Sequence, residues 1–324
     1  MAFIDNTRLK FTQLPPMPKA TGGGTVVQEL PKTGILAYLL CPVTFTVAGT
    51  LSAQNALGFS SIINRITLRV NAGHAIFDVS GPGYHWLVRD MLETHLQDFG
   101  SYTDGRTTIT ATSGRLDFFI PVAMNMRDET GLLMLQNEQT LVTLSINYEA
   151  DATVATGATV TASCTPVMAF FEVPNREEDL PNLRVVHQII EDQASIPATG
   201  QFVHNPPRDA VITALYYLTP TWTQVQTIIQ QSNTIEEWTP NSHQMRYMLT
   251  TGRNVVPGGL ITTNDRRFML DLSGTDGLGE FWTMRDVLDT GRLTNFFNRF
   301  TFSATGTMFA VRRQVFPLAP PSGG

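Results

Sequence analysis

ITLRVNAGHAIFDVSGPGYHWLVRDML (Ile66–Leu92) and VQTIIQQSNTIEEWTPNSHQMRYML (Val225–Leu249) follow one grammar. Each reads as a strand, an Asn turn, a short strand, a Gly/Pro/Asn turn and then a helix. They also close alike, with Arg89, Met91 and Leu92 answered by Arg246, Met248 and Leu249. The offset is close to half the chain, which is the mark of a duplicated unit.

Working outward, the correspondence continues in order on both sides. VVQELPKTGILAYLL (Val26–Leu40) matches FVHNPPRDAVITALYYL (Phe202–Leu218), a strand, a proline turn and an apolar strand in each case. GRLDFFIPV (Gly114–Val122) lines up with RRFMLDLSG (Arg266–Gly274). ATVTASCTPVMAFFEVP (Ala158–Pro174) lines up with ATGTMFAVRRQVFPLAP (Ala304–Pro320), down to the final proline. Thr140–Tyr148 alternates with period two, setting Val142, Leu144 and Ile146 on one face, and Phe296–Phe302 is similar. Helices are few: one is expected over Tyr84–Phe99 and a shorter one over Ser242–Leu249. The class is all-β, two tandem barrels with short helices between strands. The first is expected over 25–176 and the second over 185–320. A charged linker lies at 177–184, inside the proline-bracketed PNREEDLPNLR (Pro174–Arg184), and a short tail at 321–324.

Residues 1–24 read as an arm. Pro15, Pro16 and Pro18, followed by three glycines at 22–24, exclude a continuous helix or central strand. Phe3, Ile4, Phe11 and Leu14 are nonetheless apolar, and Arg8, Lys10 and Lys19 outnumber the single Asp5. This composition suits a segment that orders on docking. Phe3, Ile4, Arg8, Lys10, Phe11 and Lys19 are its candidate contacts. Gly100–Ser113 and Gly274–Asn295 are the loops with insertions, and Phe281 and Trp282 in the latter are candidate interface anchors.

The 324 residues are 42% hydrophobic but only 15% charged, with a net charge of −6. So few charges fit a protein that hides much of its surface against copies of itself. The acidic balance argues against specific nucleic-acid binding. Cys41 and Cys164 have no metal-type spacing and read as buried thiols made in a reducing compartment. The N-terminus lacks a signal-peptide pattern, and Gly34–Gly49 is broken by Pro42 and threonines, too short for a spanning helix.

Catalytic readings find little to hold. The six histidines, 74, 85, 95, 187, 204 and 243, are scattered and form no metal motif. Nucleotide loops and nucleophile elbows are absent. Glu236 and Glu237 are adjacent, so a strand would point them to opposite faces. Glu280 and Asp286 have nothing to set them at glycosidase spacing. The expectation is a non-enzyme with no cofactor and no metal.

About eight short strands in each repeat, with one helix between inner strands, point to a jelly roll. Two in tandem resemble the double jelly-roll major capsid proteins of membrane-containing icosahedral phages and the adenovirus hexon lineage. The resemblance spans roughly Thr25–Pro320 and rests on repeat grammar, because the family has no short diagnostic motif. It implies a structural coat protein, forming homotrimeric, pseudo-hexameric capsomers in an icosahedral shell, with a bacteriophage as the expected source. It further implies synthesis in the host cytoplasm, residence in the virion, and contact with penton or minor capsid proteins and an internal lipid membrane. Two other functions stay open: a phage tail, baseplate or spike binding module, and a two-barrel glycan-active enzyme.

Overall fold

The computed structural model describes residue 3, residues 7–89 except 56 and 72, and residues 113–238 except 125–130, 137–138, 182, 184, 209 and 232–233; it also describes 267–271 and 288–317. The chain divides into two compact units. The first is drawn from residues 1–86, 98–190 and 316–324, the second from 87–97 and 191–315.

In the first unit the strands are β1 (Leu9–Gln13), β2 (Met17–Pro18), β3 (Gly24–Glu29), β4 (Ile35–Gln54), β5 (Ile63–Val70), β6 (His74–Val79), β7 (Ser113–Pro121), β8 (Leu133–Met134), β9 (Val142–Tyr148), β10 (Ala155–Cys164) and β11 (Val167–Phe171). One sheet sets β4 beside β7, with β10 and β11 on the other side of β4 and β2 and β1 outermost. The other runs β6-β5-β9-β3. A jelly roll folds eight strands, B to I in chain order, into sheets B-I-D-G and C-H-E-F. Here β1 with β2 is B, β3 is C, β4 is D, β5 is E, β6 is F, β7 is G, β9 is H, and β10 with β11 is I.

Pro42 sits inside the long β4 without disrupting it. Cys164 pairs with Val43 and Val167 with Leu40, so the break at Thr165–Pro166 lies opposite Cys41–Pro42. A missing N–H is tolerated where the neighbouring strand is itself interrupted. Alternation along β9 is as the sequence requires: Val142, Leu144, Ile146 and Tyr148 are buried and the residues between them are not. The β5–β6 turn places Asn71 at φ 50°, and its side-chain oxygen accepts from the Leu141 N–H at 2.8 Å. Gly81 must be glycine, because a Cβ there would come within 2.0 Å of the Ser60 carbonyl oxygen.

In the second unit the strands are β12 (Val185–Ile196, entering the unit at Glu191), β13 (Gly200–His204), β14 (Val211–Leu218), β15 (Trp222–Gln231), β16 (Thr234–Trp238), β17 (Arg267–Asp271), β18 (Leu288–Asp289), β19 (Asn295–Phe302) and β20 (Gly306–Pro317). Its sheets run β12-β20-β14-β17 and β13-β19-β15-β16, which is B-I-D-G and C-H-E-F again. Over the described residues, the strands matched in the sequence occupy the same topological positions, each in its own unit.

Three expectations gain detail from the structure. The segment read as an arm that orders on docking carries strand B of the first barrel: Leu9–Gln13 pair with Phe171–Val167 and Met17 with Cys164, while Leu14 and Met17 are buried. Prolines did not prevent this because Pro15 and Pro16 fall between β1 and β2 on an outermost strand. The contacts divide the units at a point beyond 177–184. That point lies within β12, whose Ile189 and Ile190 run parallel to Phe77 and Asp78 of the first unit. The helix expected from Tyr84 begins at Gly81 instead, as one α-turn (Gly81–Gly83) running into a π-turn (Tyr84–Val88). Ser80 starts it by accepting the Gly83 N–H at 2.9 Å. The expected second helix, Ser242–Leu249, and the remainder of the first past Arg89 lie outside the described residues.

Candidate assembly surface

The outward face of the first unit's B-I-D-G sheet is an apolar shoulder beside a hydroxyl plane. Register sets the shoulder: Phe11 pairs with Ala169, Ala169 with Tyr38 and Tyr38 with Pro121, one row across four strands. The next row is Gln13, Val167, Leu40 and Phe119. Phe11 remains 59% exposed although its ring lies edge-on to Tyr38 at 6.5 Å. Leu40 is also exposed, and Val167 and Phe119 are half-buried.

Past Pro42 the same face becomes a plane of small side chains. Thr44, Thr46 and Ala48 on β4 stand beside Thr159, Thr161 and Ser163 on β10. Thr46 and Thr161 share a hydroxyl–hydroxyl bond, and the Thr44 hydroxyl donates to the Ser163 carbonyl at 3.4 Å. Bonding within the plane lowers the cost of removing it from water. The ion pair Arg115–Asp117, at 2.7 Å, borders the plane and cancels its own charge.

Exposed large hydrophobic residues cluster at sheet margins. Phe11 on β1, Val27 on β3, Val203 on β13 and Ile235 on β16 all lie on strands that end their sheets. Free sheet margins carrying apolar side chains are a hazard for a solitary protein and suit one that packs against neighbours.

The predicted contact residues separate into two groups. Phe3 is buried among Ile35, Ala37, Tyr38 and Leu132, with its ring 5.2 Å from Phe171, so it is used up within its own barrel. Lys19 is likewise internal: only 1% of its side chain is exposed, and Nζ bonds Asp151 at 2.5 Å and the Ala20 carbonyl at 3.3 Å. Arg8, Lys10 and Phe11 are exposed, and Lys10 pairs with Glu172. Ile4, Phe281 and Trp282, and with them most of both insertion loops, lie outside the described residues.

Cys41 and Cys164 are buried free thiols, and the hydrogen bond with the Cys164 thiol, together with burial, pushes the Cys41 pKa up. Among the described residues no three of His, Cys, Asp or Glu converge as a metal set.

A group that sequence reading missed lies in the second barrel. His204 pairs in register with Asn298, and Asn298 with Thr227, one inward row across C, H and E. Tyr217 reaches this row from strand D of the opposite sheet. Asn298 Nδ2 donates to the Tyr217 oxygen at 2.7 Å, the Thr227 hydroxyl donates to Asn298 Oδ1 at 2.6 Å, and Tyr217 Oη lies 3.0 Å from His204 Nδ1. Tyr217, Asn298 and Thr227 are buried, and Phe268 and Phe300 flank the phenol at 5.6 and 5.2 Å. Burial pushes His204 down to about 4 and raises Tyr217 well above its ordinary value. No motif could have found this row, because it exists only through strand register.

No family model and no curated protein matches the sequence. Solved structures do. The chain is similar to the major capsid protein of Sulfolobus turreted icosahedral virus, at a TM-score of 0.72 and 11% identity, covering 96% of this chain and 97% of that one. It is similar to the PBCV-1 capsid protein at 0.64 and 9% identity, over 95% and 94%. Against the major capsid protein P2 of bacteriophage PM2 the score is 0.55 at 11% identity, over 98% and 100%. At such identities the likeness is one of fold, and it runs from end to end through both barrels. The chain has the double jelly-roll fold of these viral major capsid proteins.

Proposed function

We propose that the chain is the structural major capsid protein of an icosahedral virus, in which three copies form a pseudo-hexameric capsomer that tiles the shell. The observation that carries this reading is the pair of complete jelly rolls, matched at near-full length by major capsid proteins on both sides of each comparison. Three copies present six barrels, which is what a six-cornered tile requires. The apolar shoulder around Phe11 and Leu40, with the hydroxyl plane beside it, is the surface we assign to a neighbouring subunit. It is uncharged apart from a self-cancelling ion pair, and so suits another flat protein face better than an anionic membrane. The role is structural and not catalytic. A bacteriophage source draws its support from the PM2 likeness.

Light scattering after size exclusion tests the proposal. The expected mass is three times 35.8 kDa, or that of closed particles visible by electron microscopy. A protein that stays monomeric at high concentration overturns it and directs attention to a tail or spike binding module.

A further inference from the structure

We infer that the row Thr227–Asn298–Tyr217–His204 is an acid-sensitive latch that holds edge strand β13 closed while His204 is neutral and frees it when His204 is protonated. The inference concerns the second barrel alone and is independent of the coat-protein reading.

Its basis is the direction of the hydrogen bonds. The Asn298 amide nitrogen can only donate, so the Tyr217 oxygen accepts from it at 2.7 Å. The Thr227 hydroxyl occupies the other end of Asn298, on Oδ1. One donor is left in the chain, the Tyr217 O–H, and His204 Nδ1 stands 3.0 Å away to receive it. A ring that accepts at Nδ1 is neutral, with its proton on Nε2. Protonation places a second N–H on Nδ1, facing the phenol hydrogen. The phenol must then turn away from His204, and its hydrogen loses the acceptor it had, while the flanking rings of Phe268 and Phe300 offer none.

Among the described residues, none near the ring carries a charge that compensates the new one. Tyr217 from β14 and Asn298 from β19 are the polar groups that meet the ring, and Tyr217 is held protonated by burial. The adjoining cation on β19, Arg299, belongs to the next register position, where it bonds Gln226 at 3.1 Å and lies over Phe297 at 5.5 Å. Burial is the cause of the lowered His204 value.

The strand that carries His204 is a short edge strand. β13 has five residues, ends its sheet and, among the described residues, pairs with β19 alone. It also carries the exposed Val203, so its release changes the surface as well as the core. Between the ordinary histidine value of 6.5 and about 4, an opened strand takes up the proton that the closed one refuses. At pH 4 this linkage favours opening by about 100-fold relative to pH 7.

Titration of the full-length protein, carbon- and nitrogen-labelled at histidine, decides the matter, with His204→Gln assigning the signal. The expected result is an unprotonated Nδ1 at pH 7 and a midpoint near 4. Hydrogen exchange of the β13 amides, measured against those of β15, is expected to accelerate about 100-fold on acidification in the parent protein and to stay flat in His204→Gln, which accepts without titrating. In Tyr217→Phe the midpoint is expected to rise. A midpoint near 6.5, a neutral ring protonated on Nδ1, or equal acid sensitivity in parent and His204→Gln overturns the latch. The parent titration alone suffices if either variant does not fold.

Discussion

The two barrels solve the same position differently. In the second, strands C, H and E contribute His204, Asn298 and Thr227 to one row, and strand D adds Tyr217, which pairs with Phe268 of strand G. In the first, the corresponding row is Gln28, Leu144 and Leu68, and strand D adds Leu39, which pairs with Ile120 of strand G. Leu39, Leu68 and Leu144 are each wholly buried. One barrel thus closes its centre with hydrocarbon and the other with an ordered chain of donors and acceptors. The leucines define how much is packed there, about 2 kcal/mol for each buried side chain. The polar chain also fixes which atoms face each other, and it makes the core depend on a proton.

The sharpest way to break this contrast is to move one member across. Leu144→Asn puts an amide in place of a wholly buried leucine whose row offers it only the half-buried Gln28, and the first barrel is expected to lose about 4–5 kcal/mol, read as a fall in its urea midpoint. Next in size is Asn298→Leu. It strips Tyr217 and Thr227 of their shared partner and is expected to cost about 3 kcal/mol in the second barrel, by the same measurement. Acid is a smaller and reversible lever. His204 has a folded-state value near 4, below the ordinary 6.5, so the unfolded chain takes the proton first and stability falls as pH drops from about 6.5 to about 4. The loss is at most about 3 kcal/mol, seen as a decline in melting temperature over that window, and His204→Gln should abolish it. Replacing the whole row (His204→Gln, Tyr217→Phe, Thr227→Val and Asn298→Leu) should return the barrel to within about 1 kcal/mol of the parent at pH 7, because no partner is then left alone. The smallest effect belongs to the exposed Lys10–Glu172 pair, where Lys10→Ala should change the unfolding free energy by no more than about 0.5 kcal/mol.

What could be read from the sequence follows the same divide between local and non-local information. The hairpins β5–β6 and β15–β16, the alternation of β9 and the strand order within each repeat were all legible, because each is written in adjacent residues. Strand B of the first barrel was not. Its prolines carry a local message of irregularity, while the fact that Leu9–Gln13 lie on Val167–Phe171 is a property of distant residues. The apolar residues of that segment were the available clue: among those described, Phe3, Leu14 and Met17 are buried, and Phe11 remains outward. Lys19 is a related case, since its charge is met by Asp151, 132 positions away, and not by any neighbour in sequence. The division inside β12 was hidden too, because a charged, proline-bracketed stretch looks like a boundary whether or not the contacts divide there. The His204 row was the least legible feature. Four unremarkable residues become a functional group only when register aligns them.

The pairing of β1 with β11 also sets a timetable for synthesis. Gln13 leaves the ribosome long before its partner Val167 exists. At about 5–20 residues per second, some 10–30 s separate the two. Throughout that interval strand B waits without the I-strand segment it pairs with, and β4 stands with one flank unclosed. A nascent chain in this state offers β4 to any strand within reach, including those of other nascent copies on the same message. Production of this protein in a foreign host should therefore be limited by crowding on polysomes before it is limited by the stability of the finished fold.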